Sequence, residues 1–217
     1  MIQVVGIEKG FGTQVLFQDV TFTLGKGERV GLVGRNGTGK STLFKILLGE
    51  ESQDRGEIIF PKNYHVGTLK QHLIFTQDTI LEECMTALRG ENAEFEQYKV
   101  EKMLLGLGFK ISDFCRSPKD FSGGYQIRLN LAKVLVSEPD CLLLDEPTNY
   151  LDIVSMRWLT KFLREFRGEM ILITHDRGFM DDVTTHTMGI WRQNLFKIPG
   201  NSGKYLIVSH FMWNEPS

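Results

Sequence analysis

Apolar positions along the chain fall into two rhythms. Short alternating or continuous apolar runs at 2–7, 20–24, 29–33, 57–60, 64–69, 141–144 and 170–174 predict strands. Elsewhere apolar residues recur at three- and four-residue spacing and predict helices. Leu43, Phe44, Ile46, Leu47 and Leu48 mark a helix over 40–48 that Gly49 ends. Leu81, Met85 and Leu88 mark another, as do Val100, Met103, Leu104 and Leu107, and further helices are predicted over 123–136, 153–166 and 176–183. Lys9-Gly10-Phe11-Gly12 reads as a turn, and 186–208 as small strands. The run 141–144 is apolar without alternation, which is the pattern of a strand buried on both faces. Strand, glycine-rich loop and helix come first, then helices only, then strands and helices in alternation. That order predicts an α/β fold in one domain over 1–217, with a lateral helical subdomain at about 72–135.

Charge narrows the function. The 217 residues carry 25 Lys and Arg against 27 Asp and Glu, a net charge of -2. Bulk attraction to nucleic acid or membrane is therefore excluded as the main mode of action, which leaves only a local basic face. No apolar run approaches the ~20 residues that cross a bilayer. The first residues show no basic segment leading into an apolar one, so no signal peptide is read there. The three cysteines, Cys84, Cys115 and Cys141, fit no zinc spacing. They read as free thiols in a reducing compartment, and the expected location is the cytoplasm.

Three segments carry candidate chemistry. The first is Gly34-Arg35-Asn36-Gly37-Thr38-Gly39-Lys40-Ser41, a G-x-x-x-x-G-K-[ST] loop between a strand and a helix. A polyphosphate needs many donors in a small space. Glycines let successive backbone N–H groups turn inward, and the helix start adds partial positive charge. Lys40 supplies a point charge, and the Ser41 hydroxyl can ligate Mg2+. The second is Leu142-Leu143-Leu144-Asp145-Glu146-Pro147-Thr148, an apolar strand ending in two acids at the edge where α/β proteins bind ligands. Neighbouring side chains at a strand end diverge, so Asp145 can serve a metal while Glu146 faces a water as general base. The third is Phe121-Ser122-Gly123-Gly124-Tyr125, where a capping serine and two glycines open a helix.

Taken in order along the chain, these segments resemble the ATP-binding cassette (ABC) ATPases over about residues 1 to 200. The resemblance implies a P-loop NTPase core of ABC type, with a lateral helical subdomain and a small antiparallel β part. It implies ATP and Mg2+ as ligands and hydrolysis of ATP to ADP and phosphate. Nucleotide contacts fall on Gly34 to Ser41 and on Thr42, and Phe11 resembles the aromatic that stacks on adenine. Ser122, Gly123 and Gly124 resemble the signature motif, although its usual leading Leu is Phe121 here and its usual final Gln is Tyr125. Asp145, Ser41 and Gln71 are the implied metal group. Glu146, Gln71 and His175 are the implied catalytic group, with His175 as the switch histidine and Leu151-Asp152 as the D-loop. The family also implies a composite site, in which the signature serine of a second cassette, in trans or in a longer parent protein, completes the ATP pocket.

Thr148-Asn149-Tyr150-Leu151-Asp152 resembles the T-N-H-L-D of subfamily F, with Tyr150 at the usual His. Arg128 to Ala132 and His175 to Asp181 resemble that subfamily as well. The chain reads as a first cassette without the long charged linker of those proteins, and 206–213 does not resemble the linker's start. Two readings stay open: a soluble subfamily F ATPase that acts at the ribosome, and the nucleotide-binding motor subunit of a transporter whose permease is another chain. Neither inserts into a membrane directly.

Overall fold

The computed structural model of the protein describes residues 1–69, 73–89 and 96–213, with side chains as far as residue 207. The chain forms two compact units. One comprises Met1–Val66, Cys141–Glu146 and Phe166–Ser217, and the other Gly67–Asp140 and Pro147–Glu165.

The chain opens with β1 (Ile2–Phe11), β2 (Gln14–Leu24), β3 (Arg29–Val33), α1 (Lys40–Leu47) and β4 (Arg55–Ile59). Strands β1, β2 and β4 make an antiparallel sheet in the order β2-β1-β4. Then follow β5 (Val66–Thr68), β6 (Cys141–Asp145), β7 (Glu169–Ile173), β8 (His186–Trp191) and β9 (Asn194–Pro199). They join β3 in a second sheet, ordered β5-β6-β7-β3-β8-β9. Strand β3 pairs in parallel with β7 and β8, and β6 in parallel with β7, while β9 turns back antiparallel on β8. All five residues of β7 and the first four of β6 are buried, as their unbroken apolar runs require. Two helices close this unit, α6 (Arg177–Val183) and α7 (Ser202–Trp213).

The second unit holds α2 (Ile80–Met85), α3 (Gln97–Gly106), α4 (Gly123–Val136) and α5 (Ile153–Glu165). The Thr79 side chain caps α2 by accepting from the Glu82 amide. Ile80, Cys84, Val100, Leu104, Leu129, Ala132 and Leu135 are fully buried. Glu83 is also fully buried. Its carboxylate pairs with Lys133 and accepts from the amides of Thr76 and Gln77 at 2.7 and 2.8 Å. Gly106 is a packing requirement: a Cβ there would lie 2.0 Å from the Trp158 ring, so only glycine lets α3 and α5 approach.

Two sequence expectations need correction. The turn expected at 9–12 is later, because β1 runs on to Phe11 and the chain reverses at 12–13. Lys9 holds that extension: its side chain is 6% exposed, and its ammonium donates to Glu51 and to the Ser52 carbonyl. Register shifts between β1 and β2 break the alternation that would have revealed the longer strands. The second correction is at the end, where 202–213 is helix rather than strand. Asp181 accepts from both the amide and the hydroxyl of Ser202 and so starts α7, while Tyr205 is buried just behind. A dense apolar run does not reveal its period, so this choice is made by tertiary contacts.

Candidate functional site

The site is built where β3 and β6 end and α1 begins. Gly39 stands at the N-cap of α1 with φ +100°, and a Cβ there would lie 2.7 Å from the fully buried Phe17 ring. Glycine is thus required twice at one position, by backbone conformation and by space. Gly37, at φ +80°, has no atom within 4 Å of where a Cβ would be, so the loop faces open space there. The Lys40 ammonium folds back on the loop and donates to the carbonyls of Gly34 at 2.7 Å and Arg35 at 3.1 Å. Burial lowers its pKa, against the pull of Asp145 and Glu146.

Asp145 closes β6, and Glu146 follows with φ +49°, its amide bonded to the Ile173 carbonyl at 2.9 Å. Both carboxylates line the same cavity, near enough for the charge of Glu146 to act on Asp145. Burial raises the pKa of Asp145, and Glu146 raises it further, while Lys40, the Ser41 hydroxyl and His175 oppose the shift. Glu146 receives the Thr174 hydroxyl on Oε2 at 3.3 Å. Its Oε1 is buried without a hydrogen bond, and His175 Nε2 stands 3.6 Å from it. His175 itself is 78% exposed.

The fold thus brings together most of the predicted residues. Phe11, Asn36, Gly37, Gly39, Lys40, Ser41, Thr42, Asp145, Glu146 and His175 line one cavity of about 430 Å3. Gly34, Arg35 and Thr38 line a more apolar neighbour of about 680 Å3, walled also by Met180, Ile190 and Trp191. Phe11 is half exposed, with the Lys9 ammonium 4.7 Å from its ring centroid. Gln71 lies outside the described residues.

Ser122, Gly123 and Gly124 belong to the second unit. Ser122 occupies the N-cap position of α4, yet its side chain makes no capping bond, and both it and Gly123 are exposed. The sequence reading of Ser122 as a side-chain cap is corrected accordingly: at φ -61°, ψ 158° the residue caps through its carbonyl, which accepts from the Gln126 amide. Gly124 packs against Tyr150, whose φ is +71°. Arg128, one turn further along α4, fixes that segment. It donates to the Tyr150 carbonyl at 2.7 Å and to Asp152 at 2.9 Å. Asp152 in turn accepts from the amides of Val154 and Ser155 and starts α5.

Two contributors escaped sequence reasoning. Thr174, between β7 and His175, orients Glu146 and also accepts from the Asp176 amide at 3.1 Å. Arg128 was legible only as part of a motif; its buried position in an amphipathic helix was the missed signal.

Chemically, the loop offers free backbone to an anion, and Ser41 with Asp145 offers oxygen donors to a hard divalent cation. Among the described residues no helix is long and apolar enough to cross a membrane.

Comparison with known proteins agrees with this geometry. The family model described as ABC transporter matches residues 17–149. YheS of Escherichia coli K12, described as a probable ATP-binding protein, is 34% identical over 89% of this chain and 35% of its own length. ABC transporter F family member 5 of Arabidopsis thaliana is 32% identical over 99% of this chain and 37% of its own length. The chain thus spans little more than a third of either relative. Among solved structures, the dimeric bacterial ABC transporter cassette MJ0796 superposes with a TM-score of 0.73 at 22% identity, covering 92% of this chain and 98% of that one. The chain is therefore a member of the ABC transporter family, an ATP-binding cassette whose resemblance to subfamily F extends over its whole length.

Proposed function

We propose that the chain is a nucleotide-gated ATPase cassette of subfamily F type, which hydrolyses ATP in a site shared with a second cassette and acts at the ribosome in the cytoplasm. The observation that carries the reading is the convergence of Lys40, Ser41, Asp145, Glu146 and His175 on one cavity beside a glycine loop.

Residues 34–42 hold the triphosphate, with loop amides on its oxygens and the Lys40 ammonium released from the Gly34 and Arg35 carbonyls to meet it. Phe11 offers a flat apolar surface to the adenine. Ser41 and Asp145 would hold Mg2+, with Gln71 as the further ligand that the resemblance implies, and the ion would supply charge neutralisation at the phosphate oxygens. Glu146 takes the proton of the water that attacks the γ-phosphorus. The bond from that phosphorus to the bridging oxygen breaks, and ADP leaves with the electron pair. Thr174 fixes Glu146 through one carboxylate oxygen, and His175 Nε2 stands 3.6 Å from the other, where it would sense the γ-phosphate. Because its Oε1 holds no competing hydrogen bond, Glu146 is free to accept.

The second cassette is supported by an exposed apolar strip in the helical unit. Tyr150, Ile153 and Val154 are 62%, 64% and 71% exposed, in the chain segment that Gly124 and Arg128 contact. The subfamily F likeness of 148–152, a group the sequence resemblance associates with ribosomes, favours the ribosome over a permease as partner.

The test is Glu146→Gln. The variant should bind ATP as the wild type does, lose turnover by about 100-fold or more, and pellet with 70S ribosomes only in ATP. Turnover at the wild-type rate would overturn the general base. Pelleting with a permease instead of ribosomes would overturn the partner.

A further inference from the structure

Helix α5 carries a feature that neither nucleotide chemistry nor cassette pairing uses. Arg157, Lys161 and Arg164 follow one another at successive turns on its outer face, about 6 and 4.5 Å apart along the axis. All three are exposed, and among the described residues none forms an ion pair. They line a shallow polar groove with Thr160 and Glu165. A solvated helix face ordinarily mixes both signs; this one is cationic until Glu165, in a chain whose net charge is -2.

Aromatic groups stand beside these cations. Trp158 and Phe162 alternate with them in sequence and stack, with centroids 5.5 Å apart and planes 18° from parallel. Trp158 is seated against Gly106 and walls a second groove, opposite Tyr98, Lys102 and Leu105 of α3. Tyr98 is 63% exposed. Glu101, in the same groove, is occupied by the Gln97 amide at 2.7 Å. A cationic ridge on α5, with a groove beside it that carries the exposed Tyr98 ring and Lys102, matches the two halves of an RNA strand: phosphates on the ridge and an unstacked base on the tyrosine.

We infer that the face formed by α5 and α3 is an RNA-docking surface, which grips about three phosphates of a strand and receives an unpaired base on the exposed ring of Tyr98. For its biological setting the inference rests on the ribosome-directed reading above. RNA is favoured over a lipid surface because the exposed apolar residues of α5, Ile153 and Val154, belong to the strip assigned above to the second cassette, and beside the cations the aromatics line a groove. An acidic protein would use the ridge but not the groove.

The test uses the intact chain and a fluorescein-labelled RNA hairpin with an unpaired purine loop, read by anisotropy at increasing salt. A variant combining Arg157→Ala, Lys161→Ala and Arg164→Ala changes only exposed side chains, and circular dichroism checks its fold. Three lost phosphate contacts reduce the slope of log affinity against log salt by about 2. Raising salt fourfold should therefore weaken wild-type binding about sixteenfold more than binding of the variant. The loop hairpin should bind about tenfold tighter than the same sequence closed as a duplex, and Tyr98→Ala should erase that preference. Equal affinity and equal salt slope for the triple variant would overturn the inference, as would equal binding to phosphatidylserine vesicles or to polyglutamate. ATP binding, which uses the other unit, should be unchanged in both variants. Ribosome pelleting of the Glu146→Gln form separates the two ideas. Pelleting that survives the triple substitution unchanged refutes the surface and leaves the cassette reading standing. RNA binding that depends on the surface, without ribosome pelleting, refutes the ribosomal role and leaves the surface standing.

Discussion

Arg128→Ala tests how the helical unit fixes the segment that follows β6. Arg128 is 8% exposed and satisfies three acceptors at once: the carbonyls of Tyr150 at 2.7 Å and Leu107 at 3.3 Å, and the Asp152 carboxylate at 2.9 Å. Its guanidinium also lies 4.6 Å from the Tyr125 ring centroid. Two charge-assisted bonds, one buried at Leu107 and one part-buried at Tyr150, are worth about 3 kcal/mol together, since each orphaned acceptor retains part of its desolvation cost. Asp152 is 50% exposed, so the ion pair adds less than about 1 kcal/mol. The expected loss is about 3–4 kcal/mol. A lysine cannot fork to three acceptors, so Arg128→Lys should recover less than half of it. Urea unfolding followed by circular dichroism measures the loss. Hydrogen exchange localises it, with protection falling in α4 and over 150–156 and holding in β6 and β7. Because Arg128 holds Tyr150 and Asp152, ATP-dependent pairing should weaken as well. A variant within about 0.5 kcal/mol of wild type, the range of an ordinary surface substitution, would refute the reasoning.

Four further outcomes follow from single sites. Burial raises the pKa of Glu83, but Lys133 and the amides of Gln77 and Thr76 outweigh it and hold the carboxyl below its ordinary value of 4.5. The stability it contributes is therefore present above the unfolded value and lost as pH falls through the folded one. Denaturant midpoints of wild type and Glu83→Gln should differ at pH 7, and the difference should begin to shrink as pH falls below about 4.5. Gly39→Ala should cost more than about 1–2 kcal/mol of stability, the price of a left-handed conformation alone, because Phe17 must also shift; it should abolish nucleotide binding by calorimetry. Ser122→Ala should leave stability within about 0.5 kcal/mol, since no capping bond is lost, yet reduce ATP-dependent pairing. With a thiol reagent, Cys115 should react in the native protein, whereas Cys84 and Cys141 should need unfolding. Burial also pushes the Cys84 thiol well above its ordinary range.

The sequence by itself determined the phosphate loop, because a glycine at the αL position before a helix and a lysine after it are local requirements of backbone geometry and charge. It also determined the buried parallel strands, since runs such as 141–144 and 170–173 admit no solvent face. Tertiary structure decided the rest. Whether 202–213 became strand or helix depended on Asp181, 21 positions before Ser202, because a dense apolar run satisfies either period. That Ser122 has no capping bond, that Thr174 orients Glu146 and that Arg128 holds Tyr150 and Asp152 are facts of distance between segments. Spacing along a chain encodes the period of one element. It does not encode which element lies opposite, and hydrogen bonds and buried charges are satisfied across that gap.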